Sequence, residues 1–375
     1  MNNFEKALSY SKDMPITAII CFLIIPLVLI IRIIKPLIFI RFGSLNSIRM
    51  GHYFFDIEYY LNEKNNDNLK SYDFFYLART PPVNSYVEKL ASRYIKINKL
   101  VKFFDYCNTV IPGGKIHKID MATKLSRSRD VEGIFSDTQN IIRFNDEENK
   151  IGYSYLEKVG IQKNQRFHCL LVRDAEYFKK ALPGSDMSLH DYRDSDIQKY
   201  KKSADWLNSQ KKIKTIRMGK FVKNKISNQE SIIDYATSKD RSDFLDLWLM
   251  ANCFFCTSTT PGIETVAVCF RKPLLLSSHL PYGDARTGNK RCIELFKYIK
   301  SKETGRFVGI EEQIDRGIID GKKTEQYDGF EIIDNTEDEI LSATQELIEL
   351  IEKNNIYDDF TEKLNKRFWK ELSKW

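Results

Sequence analysis

The stretch "CTSTTPGIETVAVCFRKPLLL", residues 256–276, decides the fold, because a turn of small residues separates two apolar runs there. The first run ends a predicted strand, "GIETVAVCFR" predicts a helix, and "PLLLSS" predicts the next strand. Strand, helix and strand at this spacing are typical of a doubly wound parallel sheet. The loop that opens the helix then lies at the carboxyl edge of the sheet, where such folds bind ligands.

Further segments of the second half of the chain repeat this alternation. Predicted strands are "RFHCLLVRD" (166–174), "KTIRMG" (214–219) and "SIIDYA" (231–236). Predicted helices are 194–210, with Asp194 as its N-cap, 241–253, and the long amphipathic helix 336–354, which begins with a Thr336/Glu339 capping box. The second half therefore reads as a Rossmann-like domain.

The first half of the chain alternates in the same way. Its predicted elements are a helix over 50–63, a strand over 72–78, a helix over 83–97 capped by Asn84 or Ser85, and the strand "TVIPGGKI" (109–116). A chain of 375 residues also fits about two domains. We therefore expect an α/β protein with two Rossmann-like domains.

The segment "MPITAIICFLIIPLVLII" (14–31) carries no charge and predicts a membrane helix. A cleaved signal peptide is the rival interpretation, and Pro26 and Pro36 allow a hairpin that only dips into the membrane. Positive charge is greater after the segment than before it, which places the large domain in the cytoplasm. The bases concerned are Lys6 and Lys12 before the segment, and Arg32, Lys35, Arg41 and Arg49 after it.

These features divide the chain into four predicted parts. They are a membrane anchor over 1–43, an α/β domain over 44–160, a ligand-binding Rossmann-like domain over 161–350, and a C-terminal helix over 351–375.

Charge and motif content exclude several classes of protein. The net charge of +7 comes from 58 bases and 51 acids that are interspersed, which argues against nucleic-acid binding and suits an anionic membrane or a phosphorylated substrate. Cys253 and Cys256 have CxxC spacing without a second pair, which favours buried thiols over a zinc site. No Walker loop, GxGxxG, HExxH or GxSxG is present, which argues against NTPases, dehydrogenases, zincins and α/β-hydrolases.

The loop that opens the predicted helix has the composition of a phosphate site. Hydroxyl groups and a close backbone approach come from Ser258, Thr259, Thr260 and Gly262. Glu264, one turn into the helix, can accept hydrogen bonds from sugar hydroxyls, or can merely satisfy the helix dipole.

Other polar residues fall where the predicted strands end or the next helices begin. These are Arg173, Asp174, Arg193, Arg217, Arg241, Ser242 and Asp243. Arginines that converge on one edge suit an anionic ligand, because guanidinium binds phosphate in a bidentate manner; separate surface salt bridges are the alternative. "DSD" (194–196) resembles a metal motif but stands at a helix start, which favours capping. His52 and His190 are candidate general bases or structural histidines.

Together these stretches resemble a family of bacterial glycosyltransferases linked to surface polysaccharide clusters. The matching segments are 49–61 ("RMGHYFFDIEYYL"), 171–177, 190–200, 216–219, 241–255 and 332–340. The loop and helix around Gly262 are also similar to the donor-binding loop of GT-B transferases, although Pro261 interrupts the usual small-residue pattern.

The resemblance implies a function. A nucleotide-sugar would bind the second domain at the loop residues and arginines named above. A lipid-linked glycan acceptor would be presented by the first domain at the cytoplasmic membrane of a bacterium. The final helix, over 351–375, would cross back to the first domain. Arg173, Asp174 and His52 would act in catalysis, with no metal or cofactor. Alternatives are another envelope-glycan transferase, for pyruvyl or phosphoryl groups, or a non-catalytic assembly scaffold.

Overall fold

The computed structural model describes residues 14–66, 69–122, 130, 132–181, 188–226, 230–286, 289, 291–321, 327–354 and 356–375. Side chains are not described at 14–18, 178, 181 and 188–190. Lys6 and Lys12, used above for orientation, lie outside the described residues. The chain forms two compact units, Met1–Ser128 and Arg129–Trp375.

A four-stranded parallel sheet forms the centre of the first unit, in the order β3-β2-β1-β4. The strands are β1 (Ile40–Leu45), β2 (Tyr72–Leu77), β3 (Lys96–Ile97) and β4 (Lys118–Ile119). Gly43 of β1 is required by packing, because a Cβ there would lie 2.6 Å from the ring of Phe75. Strand β1 begins inside the segment predicted as membrane anchor, so residues 1–43 do not end where the folded unit begins.

The helices of the first unit are α1 (Met14–Ile33), α2 (Met50–Asn66), α3 (Ser85–Ala91) and α4 (Val101–Val110). Helix α1 packs against α4, where Ile24 and Val28 are buried beside Cys107. Arg32 closes this contact, because its guanidinium donates hydrogen bonds to the carbonyl oxygens of Asn108 and Pro112 at 2.7 and 2.6 Å. In the part of the chain that the structure describes, no helix is both long enough and apolar enough to cross a membrane.

Two predictions for the first unit have different outcomes. Asn84 caps α3 as expected, since its side chain accepts from the amides of Tyr86 and Val87. The predicted strand over 109–116 is wrong: α4 continues to Val110, and a 3-10 turn covers Gly114–His117. The apolar residues read there as a strand are the last turn of an amphipathic helix.

A six-stranded sheet of parallel strands forms the centre of the second unit, in the order β10-β9-β8-β5-β6-β7. The strands are β5 (Phe167–Leu171), β6 (Lys214–Arg217), β7 (Ile232–Ile233), β8 (Phe255–Ser258), β9 (Leu274–His279) and β10 (Cys292–Phe296). Counted from β5, this is the order 3-2-1-4-5-6 of dinucleotide-binding folds. The predicted parallel sheet is confirmed.

The helices of the second unit are α5 (Ile134–Asp137), α6 (Asp146–Lys158), α7 (Glu176–Ala181), α8 (Lys201–Lys211), α9 (Asp243–Asn252), α10 (Glu264–Cys269), α11 (Ile310–Asp315), α12 (Glu337–Glu352) and α13 (Asp359–Leu372). The capping box predicted for α12 is present at Thr336 and Glu339. Helix α6 precedes the predicted boundary at 160/161, yet it packs within the second unit: Gly152 lies so close to Trp248 of α9 that a Cβ would be 2.1 Å from the indole ring.

Two peripheral parts of the second unit were not predicted in this form. Strands β11 (Tyr298–Ser301) and β12 (Phe330–Ile333) pair antiparallel outside the main sheet. The C-terminal helix α13 packs on α11 of the same unit through Phe368 and Leu372. That this helix also crosses back to the first domain stays a prediction.

Candidate functional site

The candidate site, called the crevice below, is the carboxyl edge of the six-stranded sheet at β5 and β8. These neighbouring strands are the point at which the strand order reverses, which is where sheets of this order bind their ligands. The two loops are bonded together: the amide of Arg173 donates to Oγ1 of Thr259 at 2.8 Å, and the amide of Thr259 donates to the carbonyl of Leu171 at 3.0 Å. Sequence-predicted residues from distant parts of the chain thus meet here.

Two residues at this edge have a backbone conformation that side chains disfavour. Thr260 has φ +60° and Ser278 has φ +49°. Ser258 of β8 pairs with Leu276 of β9, so each strained residue lies two positions beyond a paired one, on adjacent strands. Such conformations cost about 1–3 kcal/mol each and concentrate at functional sites. Gly262, at φ +116°, occupies a conformation that requires glycine.

The amides at the start of α10 are occupied by the protein itself. Oγ of Ser258 accepts from the amide of Thr260 at 3.0 Å, and Oε2 of Glu264 accepts from the amide of Gly262 at 2.6 Å. The other oxygen of Glu264 pairs with Arg286 at 3.3 Å, and Glu264 is 1% exposed. The expected mouth of free amides therefore holds a carboxylate, and α10, with six residues, is too short for a strong dipole. An incoming phosphate must displace Glu264 or bind to side chains instead.

Arg173 is a buried cation of the crevice, with 6% of the residue exposed. Its guanidinium donates to Asp194 at 2.5 Å, and its carbonyl accepts from the amide of Ser195 at 3.1 Å. Burial lowers the pKa of Arg173, against the effect of Asp194, and the charge of Arg193 lowers the same pKa further. Burial likewise raises the pKa of Asp194, against the effect of Arg173. Arg173 and Arg193 therefore share one electrostatic environment.

Further charged groups at this edge were not predicted from the sequence. Arg193 pairs with Asp284 at 3.3 Å, and Arg286 pairs with Glu264. Lys297, which is 3% exposed, pairs with Asp334 at 2.5 Å and donates to the carbonyl of Asp194 at 2.8 Å. Asp284 and Arg286 lie in the loop after β9, whereas Lys297 and Asp334 come directly after β10 and β12. A place directly after a short apolar run is the signal that could have found Lys297 and Asp334.

The remaining predicted residues hold loops at the same edge. Ser242 caps α9 by accepting from the amide of Leu245, and Asp174 accepts from the amides of Glu176 and Lys223 at 3.0 and 2.9 Å. The other ion pairs join Arg217 to Asp234 at 3.4 Å, Arg241 to Asp246 at 2.5 Å, and Asp243 to Lys220 at 3.6 Å. Each cation thus has its own acid, as in the alternative of separate salt bridges.

The structure also shows where the candidate general bases and the metal-like motif lie. His52 is half-buried in the first turn of α2 in the first unit, and the side chain of His190 is not described. In "DSD", Asp196 caps the 3-10 turn Ile197–Tyr200, so the prediction that Asp194 is the cap is wrong. Among the described residues, no three His, Cys, Asp or Glu side chains are grouped as metal ligands.

One histidine that the sequence analysis passed over is fully buried inside the sheet. His168 lies between Oγ1 of Thr215 and Oγ1 of Thr257, at 3.1 and 2.9 Å. Burial lowers the pKa of His168 to about 3, so the ring is neutral and holds three strands together. It lies in the body of the sheet, not in the crevice.

Comparison with known proteins finds similar solved structures, including the following two. One is the glycosyl transferase family 9 protein from Veillonella parvula DSM 2008, at 9% identity, with 83% of this chain and 98% of that chain covered and a TM-score of 0.47. The other is the E. coli ADP-heptose LPS heptosyltransferase II, at 10% identity, with 68% and 90% covered and a TM-score of 0.38. No protein-family model matches the sequence, and no curated protein matches it. At these identities and TM-scores the likeness does not carry an activity over to this chain.

Proposed function

We propose that the protein is a membrane-anchored glycosyltransferase that moves a sugar from a nucleotide-sugar to a lipid-linked or envelope glycan in surface polysaccharide or lipopolysaccharide synthesis. One observation carries the proposal: at the switch point of a parallel sheet in the order 3-2-1-4-5-6, the loop that contains Thr259 and Gly262 is hydrogen-bonded to the loop that carries Arg173. The resemblance of the loop around Gly262 to GT-B donor loops supports the same conclusion.

In this proposal the crevice binds the diphosphate of the donor. Arg173 and Arg193 release their carboxylates, Asp194 and Asp284, and bind the phosphates as charge-assisted pairs. As the bond between the sugar and the diphosphate breaks, negative charge grows on the leaving group, and the guanidinium groups stabilise it without a metal. Glu264, freed from Gly262, accepts hydrogen bonds from the sugar or ribose. The other predicted donor residues, Arg217, Arg241, Ser242 and Asp243, shape the surrounding loops.

The first unit presents the acceptor in this proposal. Attack on the anomeric carbon requires removal of the proton from the acceptor hydroxyl, and His52 and Asp174 are the candidate bases. Helix α1 supports a membrane location, since apolar side chains outside its contact with α4 are exposed: Phe22 is 78% exposed and Leu23 is 64% exposed. With the positive charge that follows α1, we propose the cytoplasmic membrane, with the catalytic units in the cytoplasm.

A binding panel tests the proposal on the full chain in a neutral detergent. Truncation at residue 43 would remove most of β1 and is therefore unsuitable. A donor that binds only the folded state stabilises it by about 2.7 kcal/mol at one hundred times its Kd, so a specific nucleotide-sugar raises the melting temperature. Gly262→Arg, which fills the crevice, abolishes the rise. No shift with any nucleotide or nucleotide-sugar would refute the proposal.

Product analysis then separates the rival transferases. A glycosyltransferase releases nucleoside diphosphate from its nucleotide-sugar when acceptor is present. A pyruvyl or phosphoryl transferase leaves every nucleotide-sugar intact, and a scaffold binds no donor.

A further inference from the structure

The amino edge of the six-stranded sheet carries a cluster of cations that the proposed function does not use. A depression of about 530 Å³ lies there, at the starts of β5, β8, β9 and β10. Its cations are Lys163, Arg166, Arg271, Lys272 and Arg291. Arg166, Lys272 and Arg291 stand one or two residues before β5, β9 and β10, so parallel strands bring them to one edge. Among the described residues, no acid lines the depression.

Three of these cations make contacts that place no formal negative charge beside them. The guanidinium of Arg166 lies 4.3 Å from the centre of the Phe254 ring, and the ammonium of Lys163 lies 5.7 Å from that of Tyr153. Arg291 donates to the carbonyl oxygen of Arg271, and a carbonyl oxygen carries no formal charge. Burial lowers the pKa of Arg291, and no neighbouring carboxylate opposes this effect. Guanidinium groups without acids beside them repel one another and attract an anion.

We propose that this depression is a second anion site, specific for a phosphate-bearing ligand, at the sheet edge opposite the donor crevice. Planar guanidinium groups favour phosphate oxygens, and five cations suit a multiply charged group such as a pyrophosphate or a cluster of anionic lipid headgroups. Phe254 adds an apolar floor beside Arg166. The site does not depend on the proposed transferase activity.

Lysine acetylation of the full chain, read by mass spectrometry, tests this site directly. One arm adds inorganic pyrophosphate, a second adds phosphatidylglycerol vesicles, and controls add sodium chloride of equal ionic strength or phosphatidylcholine vesicles. We expect slower acetylation of Lys163 and Lys272, while Lys353, on the exposed end of α12, stays unchanged. Protection by pyrophosphate identifies a soluble phosphate ligand, and protection by the anionic vesicles alone identifies a lipid headgroup.

Variants make the test quantitative. Arg166→Gln/Arg291→Gln should weaken the protecting ligand by about tenfold or more, because each lost charge-assisted hydrogen bond contributes about that factor. Arg306→Gln/Arg316→Gln removes the same charge elsewhere in the unit and should leave protection unchanged. If Arg166→Gln/Arg291→Gln does not fold, the protection of lysines in the wild-type protein still decides whether the depression binds the anion. Equal acetylation of Lys163, Lys272 and Lys353 in both arms would overturn the proposal.

Discussion

The two edges of the six-stranded sheet carry arginines in opposite electrostatic states. At the carboxyl edge, Arg173, Arg193 and Arg286 each face a carboxylate, on Asp194, Asp284 and Glu264. At the amino edge, Arg166 and Arg291 contact a ring and a carbonyl, and no described acid lines their depression. Both edges thus have the cations that bind phosphate, but only one has them neutralised.

The difference has a physical consequence for binding. A ligand at the carboxyl edge must replace internal carboxylates, so only a ligand that satisfies the whole crevice binds there, which favours specificity. A ligand at the amino edge replaces no internal carboxylate, so its binding should depend strongly on salt. Loops at the carboxyl edge also store strain at Thr260 and Ser278, whereas the positive φ of Lys212 at the amino edge is the ordinary end of helix α8.

Replacement of Arg173 should have the largest effect on turnover. A small effect would contradict the difference proposed between the two edges of the sheet. Arg173→Ala removes a cation that faces the leaving group, and turnover should fall by about a hundredfold or more. Its half-buried partner Asp194 is left unpaired, so the melting temperature should also fall. Arg316→Ala, which breaks an exposed pair with Glu312, serves as the control and should leave both unchanged. Unchanged turnover in Arg173→Ala, with donor binding intact, would remove this residue from the site.

The pH dependence of stability tests the difference between the carboxyl edge, where cations pair with acids, and the amino edge, where no described acid lines the depression. Burial raises the pKa of Asp246, the partner of Arg241, to about 6. The folded state therefore holds this proton more tightly than the unfolded state, whose Asp has a pKa of about 3.9, and the free energy of unfolding should fall by about 2 kcal/mol between pH 4 and pH 7.

Urea unfolding across this pH range measures the effect. Asp246→Asn should remove the fall, whatever its effect on absolute stability, while Arg166→Gln at the edge without acids should keep it. If the free energy of unfolding changes with pH equally in wild type and Asp246→Asn, the buried carboxyl does not govern this dependence.

The smallest predicted effect concerns the strained loop. Thr260→Gly relieves a left-handed conformation and should raise the free energy of unfolding by about 0.5–1 kcal/mol, yet lower turnover because the loop loses its fixed shape. Lys212→Gly relieves the same conformation at an exposed helix end and should stabilise without a change in turnover. Thermal unfolding measures the stability of the two variants, and the rate at which nucleoside diphosphate is formed measures their turnover. Faster turnover in Thr260→Gly would mean that the strain serves no function.

The sequence predicted the second unit well because its strands are buried on both faces. Such strands are continuous apolar runs, as in "CLLV" and "PLLL", and their spacing identifies crossover helices. The prediction failed over 109–116, where helix α4 continues to Val110, and it missed β1 and β10. It also missed β3 and β4, which have two residues each. Strands that short carry no periodic signal.

For the site, the sequence indicated the cations but not their partners. Arg173 and Thr259 follow predicted strands, and Arg193 precedes a predicted helix. The acid that neutralises Arg193 lies 91 residues away, and only the tertiary fold decides that pairing. For Glu264 the sequence leaves open a sugar-binding role or a helix-dipole role, and the structure places its carboxylate on Gly262 and Arg286. Contacts of this kind depend on side-chain geometry that composition and spacing do not contain.

Photoaffinity labelling tests most directly whether the carboxyl-edge crevice is the donor site. The full chain is irradiated with an azido derivative of the nucleotide-sugar that stabilises it best, and the labelled peptides are identified by mass spectrometry, with unmodified donor as competitor. The account predicts competed labels within 171–176 and 256–264, the loops after β5 and β8. Competed labels confined to the amino-edge segments 161–166 and 270–273, or to the first unit, would contradict it.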